Sequence, residues 1–77
     1  MHRFRIDALA DPQSLARVAG VFAQRAIIPA GLSAERDRGW MRIEVAVAGL
    51  APQQAAVIAA KLGETVAVAA VEWEGTA

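Results

Sequence analysis

Few side chains in this 77-residue chain could carry chemistry, and they form no recognisable catalytic set. The single histidine, His2, lies at a chain end, where a general base is poorly held in place. Ser14 and Ser33 have no histidine or lysine near them in the sequence to activate a hydroxyl group. The carboxylates fall at predicted turn or solvent-facing positions, where pairing with arginine is the usual outcome. The sequence therefore predicts a protein without a catalytic site.

Composition and charge narrow the function classes further. The chain has no cysteine, so disulfides and thiolate metal sites are excluded, and we expect neither a metal nor a cofactor. Eight basic side chains balance eight acidic ones, which removes the broad electrostatic attraction typical of nucleic-acid or membrane binders. No apolar run approaches the roughly 20 residues of a membrane span, and no signal-peptide core precedes the first charges. A cytoplasmic protein is the expectation.

The length predicts one domain over residues 1–77, with its core in residues 3–74. A globule of this size buries only about 60% of the surface that its unfolded chain exposes. With 56% hydrophobic residues and no disulfide or metal to supplement the core, we expect a partner surface to contribute to stability.

The first half of the chain predicts a strand, a helix and an edge strand. Residues 3–9 alternate apolar and charged side chains, as a half-buried strand does. Asp11 and Pro12 then begin a helix, since aspartate accepts free backbone N–H groups and proline suits the first helical position. A second strand is predicted over residues 27–35. Because Pro29 within it has no N–H to donate, this strand is expected at a sheet edge.

The second half predicts a strand, a helix and a last strand. Residues 41–48 alternate more regularly than any other segment and indicate a central strand. A helix over residues 52–63 follows, with Gly63 predicted to close it as a left-handed cap. The last strand, residues 65–74, loses its alternation midway, which predicts a β-bulge near residues 69–70.

This βαββαβ order predicts a ferredoxin-like α+β fold, with two helices on one face of a four-stranded antiparallel sheet. The first and third strands are then central. Metal-chaperone versions of the fold need a cysteine pair that is absent here, and RNA-binding versions carry aromatic residues on the open face of the central strands. Charged residues occupy those positions in this chain. Trp40 alone shares that face, either as an interface residue or in cross-strand packing.

The segment from Ser14 to Arg25, SLARVAGVFAQR, resembles the helix of an ACT domain. It is similar to the small regulatory subunit of acetohydroxyacid synthase (acetolactate synthase), whose pattern is approximately LxRVxGLFxxRG. The resemblance extends from Phe4 to Trp73, and the length is that of the short form of this subunit. The matching helix residues are Leu15, Arg17, Val18, Gly20, Phe22 and Arg25. Gly20 either admits a neighbouring backbone or is a tolerated helix glycine.

The resemblance implies a non-catalytic regulatory subunit that forms a homodimer and docks on a thiamine-diphosphate-dependent catalytic large subunit. Its role would be to support the synthase in branched-chain amino-acid biosynthesis. The alternative is a stand-alone amino-acid-binding ACT regulatory protein of another pathway. ACT domains typically bind an amino acid between two copies, with its carboxylate near the N-terminus of the first helix. Here the implied ligand positions, in degenerate form, are Asp11, Gln13, Ser14, Leu15 and Ile28.

Several of these positions depart from the family pattern. Ala10 and Gln13 stand where the family's first loop has an asparagine and a glycine, and Ile28 stands where a second asparagine follows the helix. Ala26 replaces the glycine that ends that helix. The loss of two amide side chains leaves a desolvated ligand without partners, at about 1–3 kcal/mol for each unpaired group. These replacements count against feedback sensing of valine.

Two surfaces are candidates for contacts with other chains. The resemblance implies that the second strand joins two copies edge to edge, with a dimer contact at Ile27, Ile28, Ala30 and Leu32. For these residues, and for Leu32 above all, packing under the first helix is the alternative. The open sheet face is the candidate for docking on the large subunit, through Arg5, Trp40, Arg42 and Glu44. Charge pairing between the central strands is the alternative there.

Overall fold

The computed structural model describes residues 1–75, and its six elements follow the predicted order. The strands are β1 (His2–Leu9), β2 (Gly31–Asp37), β3 (Trp40–Val47) and β4 (Val68–Gly75), and the helices are α1 (Pro12–Ala23) and α2 (Pro52–Gly63). The antiparallel sheet has the order β2-β3-β1-β4, which confirms the ferredoxin-like fold with β1 and β3 in the centre. Residues 76–77 of the predicted domain lie outside the described part of the chain.

The hydrophobic core lies between the sheet and the two helices. Alternation along β1 and β3 turns every second side chain toward the helices, and the other side chains form an open face. Phe4 on β1 and Phe22 on α1 meet edge to face, with ring centroids 5.6 Å apart. The remaining core residues are almost fully buried: Ile6, Ala8, Val18, Ile43, Val45, Val47, Ala55, Ile58 and Leu62.

Both helices begin as the sequence predicts. Asp11 caps α1, with its side chain accepting the backbone N–H of Gln13 at 2.8 Å, and Pro12 is the first helical residue. Before α2, the side chain of Gln54 accepts the N–H of Ala51 at 3.0 Å. Each helix has 12 residues, and within residues 1–75 no helix combines the length and hydropathy of a membrane span.

Strand β2 begins later than predicted. It starts at Gly31, so residues 27–29 belong to the connection after α1. Pro29 therefore removes no hydrogen bond from the ladder, and the edge position of β2 follows from the topology alone. One residue before β2 begins, the N–H of Ala30 already donates a hydrogen bond to the carbonyl of Ala46 on β3, at 2.8 Å.

The β-bulge predicted for the last strand is confirmed. Strand β4 begins at Val68, three residues later than expected. Asp7 of β1 pairs with Ala70, but the next residue, Ala8, pairs with Val68, so Ala69 is an extra residue in the ladder. Because of this extra residue, the apolar side chains on both sides of Ala69 along the strand point to the helix side of the sheet.

The left-handed backbone positions differ from the prediction. Gly63 ends α2 without a positive φ, and Glu64 after it has φ −84°, so the predicted left-handed cap at Gly63 is wrong. Left-handed conformations occur instead at Ala26, Arg38 and Ala67, with φ 56°, 61° and 74°, and at Gly49, with φ 79°. An L-residue other than glycine is disfavoured in this conformation by about 1–2 kcal/mol.

Gly20 has open space on its side of α1. A Cβ built at Gly20 meets no atom within 4 Å among the described residues. The expectation of a closely approaching backbone is therefore wrong within one chain, and Gly20 is a tolerated helix glycine.

We predict that Ala26→Gly stabilises the protein, because glycine adopts the left-handed conformation without a steric penalty. The relief is offset partly by the greater freedom of glycine in the unfolded chain, which leaves a net gain of about 0.5–1 kcal/mol. Urea unfolding followed by circular dichroism measures the change. The matched control is Ala23→Gly in the last turn of α1, which should lose stability. A loss in both variants would contradict the left-handed geometry at residue 26.

Candidate functional site

The open face of the sheet carries paired charges between its two central strands. Arg5 lies opposite Glu44, with Nε 3.2 Å from Oε1. Arg42 lies opposite Asp7, with Nε 3.0 Å from Oδ1 and Nη2 3.5 Å from Oδ2. The charge pairing that the sequence left open as an alternative is therefore present. Within residues 1–75 no cluster of histidine, aspartate and glutamate is able to hold a metal ion.

Asp7 stabilises the charged form of Arg42. The hydrogen bond from the guanidinium to Asp7, followed by the negative charge of Asp7, raises the pKa of Arg42, and Glu72 and Glu44 add smaller contributions. Arginine is protonated throughout the accessible pH range, so this shift in pKa adds no pH dependence. The pair fixes the orientation of two exposed side chains, and its strength decreases with salt.

An apolar pair stands at one end of the open face. Trp40 on β3 lies opposite Leu9 on β1, and the two residues are 50% and 47% exposed. Trp40 therefore shares one face with Arg5, Arg42 and Glu44, so the structure brings together all four predicted docking residues. Large exposed apolar side chains next to fixed charges are typical of a protein contact surface.

The first turn of α1 satisfies its own backbone groups. Asp11 accepts the N–H of Gln13 through its carboxylate and the N–H of Ser14 through its carbonyl, at 2.8 and 2.9 Å. The side chain of Gln13 accepts a hydrogen bond from Arg17 at 3.1 Å. A ligand carboxylate at this helix end would compete with the Asp11 carboxylate for the same amide.

The other predicted ligand residues lie in different surroundings. Ser14 is fully buried and faces the core, and Leu15 is half-buried against it. Ile28 is 92% exposed and follows the C-terminal end of α1, a 12-residue helix that is about 18 Å long. Within one chain, therefore, the structure does not assemble the predicted ligand residues into one site.

We predict that Ser14→Ala stabilises the protein. The Oγ atom of Ser14 is buried and has no hydrogen-bond partner among the described residues. Removing it relieves a desolvation cost, and alanine is the better helix former, so we expect a gain of about 1 kcal/mol. For a domain of this size that gain corresponds to about 4–8 °C in Tm, measurable by calorimetry. The control Ser33→Ala changes an exposed serine and should leave Tm nearly unchanged. A lower Tm for Ser14→Ala would show that the hydroxyl group has a partner.

The predicted dimer residues lie around the free edge of the sheet. Because β2 begins at Gly31, the assignment of Ile27, Ile28 and Ala30 to this strand is wrong, and only Leu32 belongs to it. Ile27 packs against the core, as the packing alternative expected, whereas Leu32 is 43% exposed and does not. None of the seven residues of β2 is buried, and its outer edge pairs with no described strand.

His2 is not the poorly held terminal residue that its sequence position suggested, because it is only 7% exposed and lies in β1. Its Nε2 donates to the carbonyl of Leu50 at 3.1 Å, and its Nδ1 accepts a hydrogen bond from the indole of Trp73 at 3.1 Å. Gly75, the cross-strand neighbour, leaves room for the ring, since a Cβ there would collide with it. The alternation that buries Phe4 places His2 on the same face, and this signal could have located it.

Fold and surfaces together define a ferredoxin-like α+β domain with an open sheet face and a free edge strand. A family model described as "ACT-like domain" matches residues 1–77, and the chain belongs to this family. ACT domains are regulatory and non-catalytic, so the chain belongs to a class of regulatory domains.

Two solved structures show the same fold. The ACT domain from GTP pyrophosphokinase of Chlorobium tepidum is 13% identical, with a TM-score of 0.81, over 99% of this chain and 86% of that one. The C-terminal domain of the MgtC protein from Mycobacterium tuberculosis is 20% identical, with a TM-score of 0.72, over 95% of this chain and 83% of that one. A search of curated proteins finds no match.

Proposed function

We propose that this chain is a non-catalytic regulatory subunit that forms a homodimer and docks on the catalytic large subunit of acetohydroxyacid synthase. In this role it supports a cytoplasmic enzyme of branched-chain amino-acid biosynthesis. The family assignment supports the regulatory class, and the similarity of residues 14–25 to the small-subunit helix supports the partner. The observation that carries the proposal is the uncovered edge strand β2, with Ile28 exposed beside it.

The edge strand provides the argument for a homodimer. Leu32 lies opposite the buried Val45, so its side chain points to the helix side of the sheet, yet it remains 43% exposed. A second copy that pairs β2 with β2 would satisfy the free backbone groups of this edge. It would also cover Leu32 and Ile28 from the helix side.

The open face provides the argument for docking. Trp40 and Leu9 supply apolar area at one end, and the pairs of Arg5 with Glu44 and Arg42 with Asp7 fix polar groups beside it. The large subunit would be activated if this face bound its active conformation more tightly than its idle one. Contact with both conformations at equal strength would leave the activity unchanged.

The oligomeric state tests the dimer. Light scattering after size exclusion should give a dimer for the wild type and a monomer for Leu32→Lys, because a charge would be buried at the pairing edge. The matched control is Val57→Lys, at a position 52% exposed on α2, which should remain dimeric. A monomeric wild type at high protein concentration, or a dimeric Leu32→Lys, would contradict the β2 interface.

Reconstitution tests the partner. The synthase activity of a catalytic large subunit should rise on addition of this chain, and the two should co-purify. Trp40→Ala should weaken the complex, whereas Val57→Ala, which removes an exposed apolar side chain from α2, should not. Failure of the wild type to bind or activate the large subunit would reject the proposal. Saturable binding of valine, leucine or isoleucine in calorimetry would then favour the stand-alone ACT regulator.

A further inference from the structure

The charged side chains of this chain are divided unevenly between its two sides. The open face of the sheet carries six of the eight acidic side chains but only three of the eight basic ones, a net charge of −3. They are Asp7, Glu35, Asp37, Glu44, Glu72 and Glu74, together with Arg3, Arg5 and Arg42. The helices, the connections and the helix side of β2 carry the other two acidic and five basic side chains, a net charge of +3. The zero net charge of the sequence therefore conceals an acidic face.

The free negative charge of this face lies on the two outer strands of the sheet. In the centre, the salt bridges between β1 and β3 neutralise Arg5 and Arg42, and Arg3 adds one positive charge. On the outer strands, four exposed carboxylates form no ion pair or side-chain hydrogen bond with any described residue. They are Glu35 and Asp37 on β2, and Glu72 and Glu74 on β4. Free carboxylates therefore flank the central strands on both sides.

The dimensions of the open face suit a single helix. Four strands spaced about 4.8 Å apart form a face roughly 19 Å wide, whereas a helix with its side chains is about 10–12 Å across. A helix that lies over β1 and β3 would leave the carboxylates of β2 on one flank and those of β4 on the other. At one end it would meet Trp40 and Leu9, which are half exposed and stand opposite each other.

Charge decides which kind of helix fits this face. Nucleic acids and anionic membranes would be repelled by the free carboxylates. A second copy of the chain that docks face to face would bring two acidic surfaces together. A second copy also lacks a basic helix, because α1 contains a single basic residue, Arg17, and α2 contains only Lys61. The complementary occupant is therefore a basic segment of a different protein.

We propose that the open face docks a basic amphipathic helix of the partner protein, with lysine or arginine on both flanks and a large apolar side chain against Trp40 and Leu9. This inference rests on the docking face of the proposed function and adds the chemistry of the segment that binds there. Glu35 lies opposite Arg42, two residues along β3 from Trp40, which is about 7 Å. Glu72 lies about 13 Å from the Leu9 row by the same measure. The basic side chains of the partner therefore follow its apolar anchor within about three helical turns.

Amide NMR titration of the isolated chain with a synthetic helical peptide tests this docking. The probe is about 18 residues long, which matches the roughly 27 Å of an eight-residue strand. It has one leucine anchor, lysine on both flanks and alanine elsewhere. It should shift the amides of β1 and β3 and the indole N–H of Trp40, with a Kd that rises about three-fold or more between roughly 50 and 200 mM salt. The matched peptide with glutamate in place of every lysine should not bind.

Variants of the chain test each part of the contact. Glu35→Gln on β2 and Glu72→Gln on β4 should each raise the Kd of the lysine peptide about two- to five-fold, the usual range for one exposed ion pair. Trp40→Ala should raise it about ten-fold or more and leave its salt dependence unchanged, because the lost contact is apolar. Glu64→Gln removes an exposed carboxylate outside the open face and is the matched control, with an unchanged Kd.

Several outcomes would overturn the proposal. They are the absence of shifts with the lysine peptide, equal binding of the glutamate peptide, and shifts confined to α1 and α2. An effect of Glu35→Gln without one of Glu72→Gln, or the reverse, would contradict a helix flanked on both sides. Shifts of the same amides with rising protein concentration, without peptide, would assign the face to a second copy.

The docking chemistry and the identity of the partner can fail separately. The peptide titration needs no synthase, so it can succeed even if the large subunit neither binds nor responds to this chain. Conversely, a large subunit that binds the double variant Glu35→Gln and Glu72→Gln as tightly as the wild type would reject the basic helix and leave the proposed function standing.

Discussion

Truncation of Phe22 to alanine is expected to lower the free energy of unfolding by about 3–5 kcal/mol, the usual cost of removing a buried aromatic side chain. Phe22 is 1% exposed, and its ring meets that of Phe4 edge to face across the boundary between α1 and the sheet. The variant loses this contact and leaves a cavity that neighbouring side chains fill only in part. This loss is a large fraction of the total free energy of unfolding, which is about 4–12 kcal/mol for a 77-residue domain.

Urea unfolding followed by far-UV circular dichroism measures this loss. The matched variant Phe22→Leu keeps most of the buried volume and should lose less than half as much. Because a homodimer would make stability depend on concentration, the midpoints should be compared at several protein concentrations. A loss below about 1 kcal/mol for Phe22→Ala would mean that the ring is not enclosed, contrary to the packing of α1 on the sheet.

Structural features that depend only on neighbouring residues were predicted correctly from the sequence. The alternation of residues 41–48 and 3–9 identified both central strands, because side chains on a strand point to opposite faces with a period of two. The loss of alternation in the last strand located the bulge at Ala69. The cap at Asp11 was also predictable, since its carboxylate contacts an amide only two residues away.

Features that depend on distant residues were not predictable in this way. His2 is held by Leu50 and Trp73, which are 48 and 71 residues away in the chain. The start of β2 at Gly31 is set by its register with β3. The strand lies at the sheet edge as predicted, but Pro29, from which that position was inferred, precedes the strand.

The same distinction between local and distant causes applies to the residues of the candidate site. The four docking residues were placed on one face because strand parity determines it, and the structure brings them together. The ligand residues were assigned through resemblance to a site formed between two copies. Within a single chain, Asp11 and Ile28 lie beyond opposite ends of α1 and are separated by its length.

The cluster of His2, Trp73 and Gly75 should also contribute strongly to stability. His2→Ala removes the hydrogen bond to the Leu50 carbonyl and leaves the indole N–H of Trp73 without its acceptor, so we expect a loss of about 2–3 kcal/mol. Trp73→Phe removes only the donor and should cost about 0.5–1.5 kcal/mol through that bond, in addition to a smaller packing loss. In the wild type the indole N–H proton should give a distinct NMR signal, which His2→Ala should shift.

A double-mutant cycle isolates the contact between the His2 ring and Gly75. In the wild-type background Gly75→Ala should destabilise the protein, because the new methyl group would collide with the imidazole. In the His2→Ala background the same substitution should be nearly neutral, since the ring is gone and the last residue of a strand tolerates alanine. The two changes should therefore be coupled by at least about 1 kcal/mol, well above the usual deviation from additivity for independent sites. Additive losses would show that the imidazole does not occupy the space over Gly75, and the hydrogen bond from Trp73 to His2 would then lose its geometric basis.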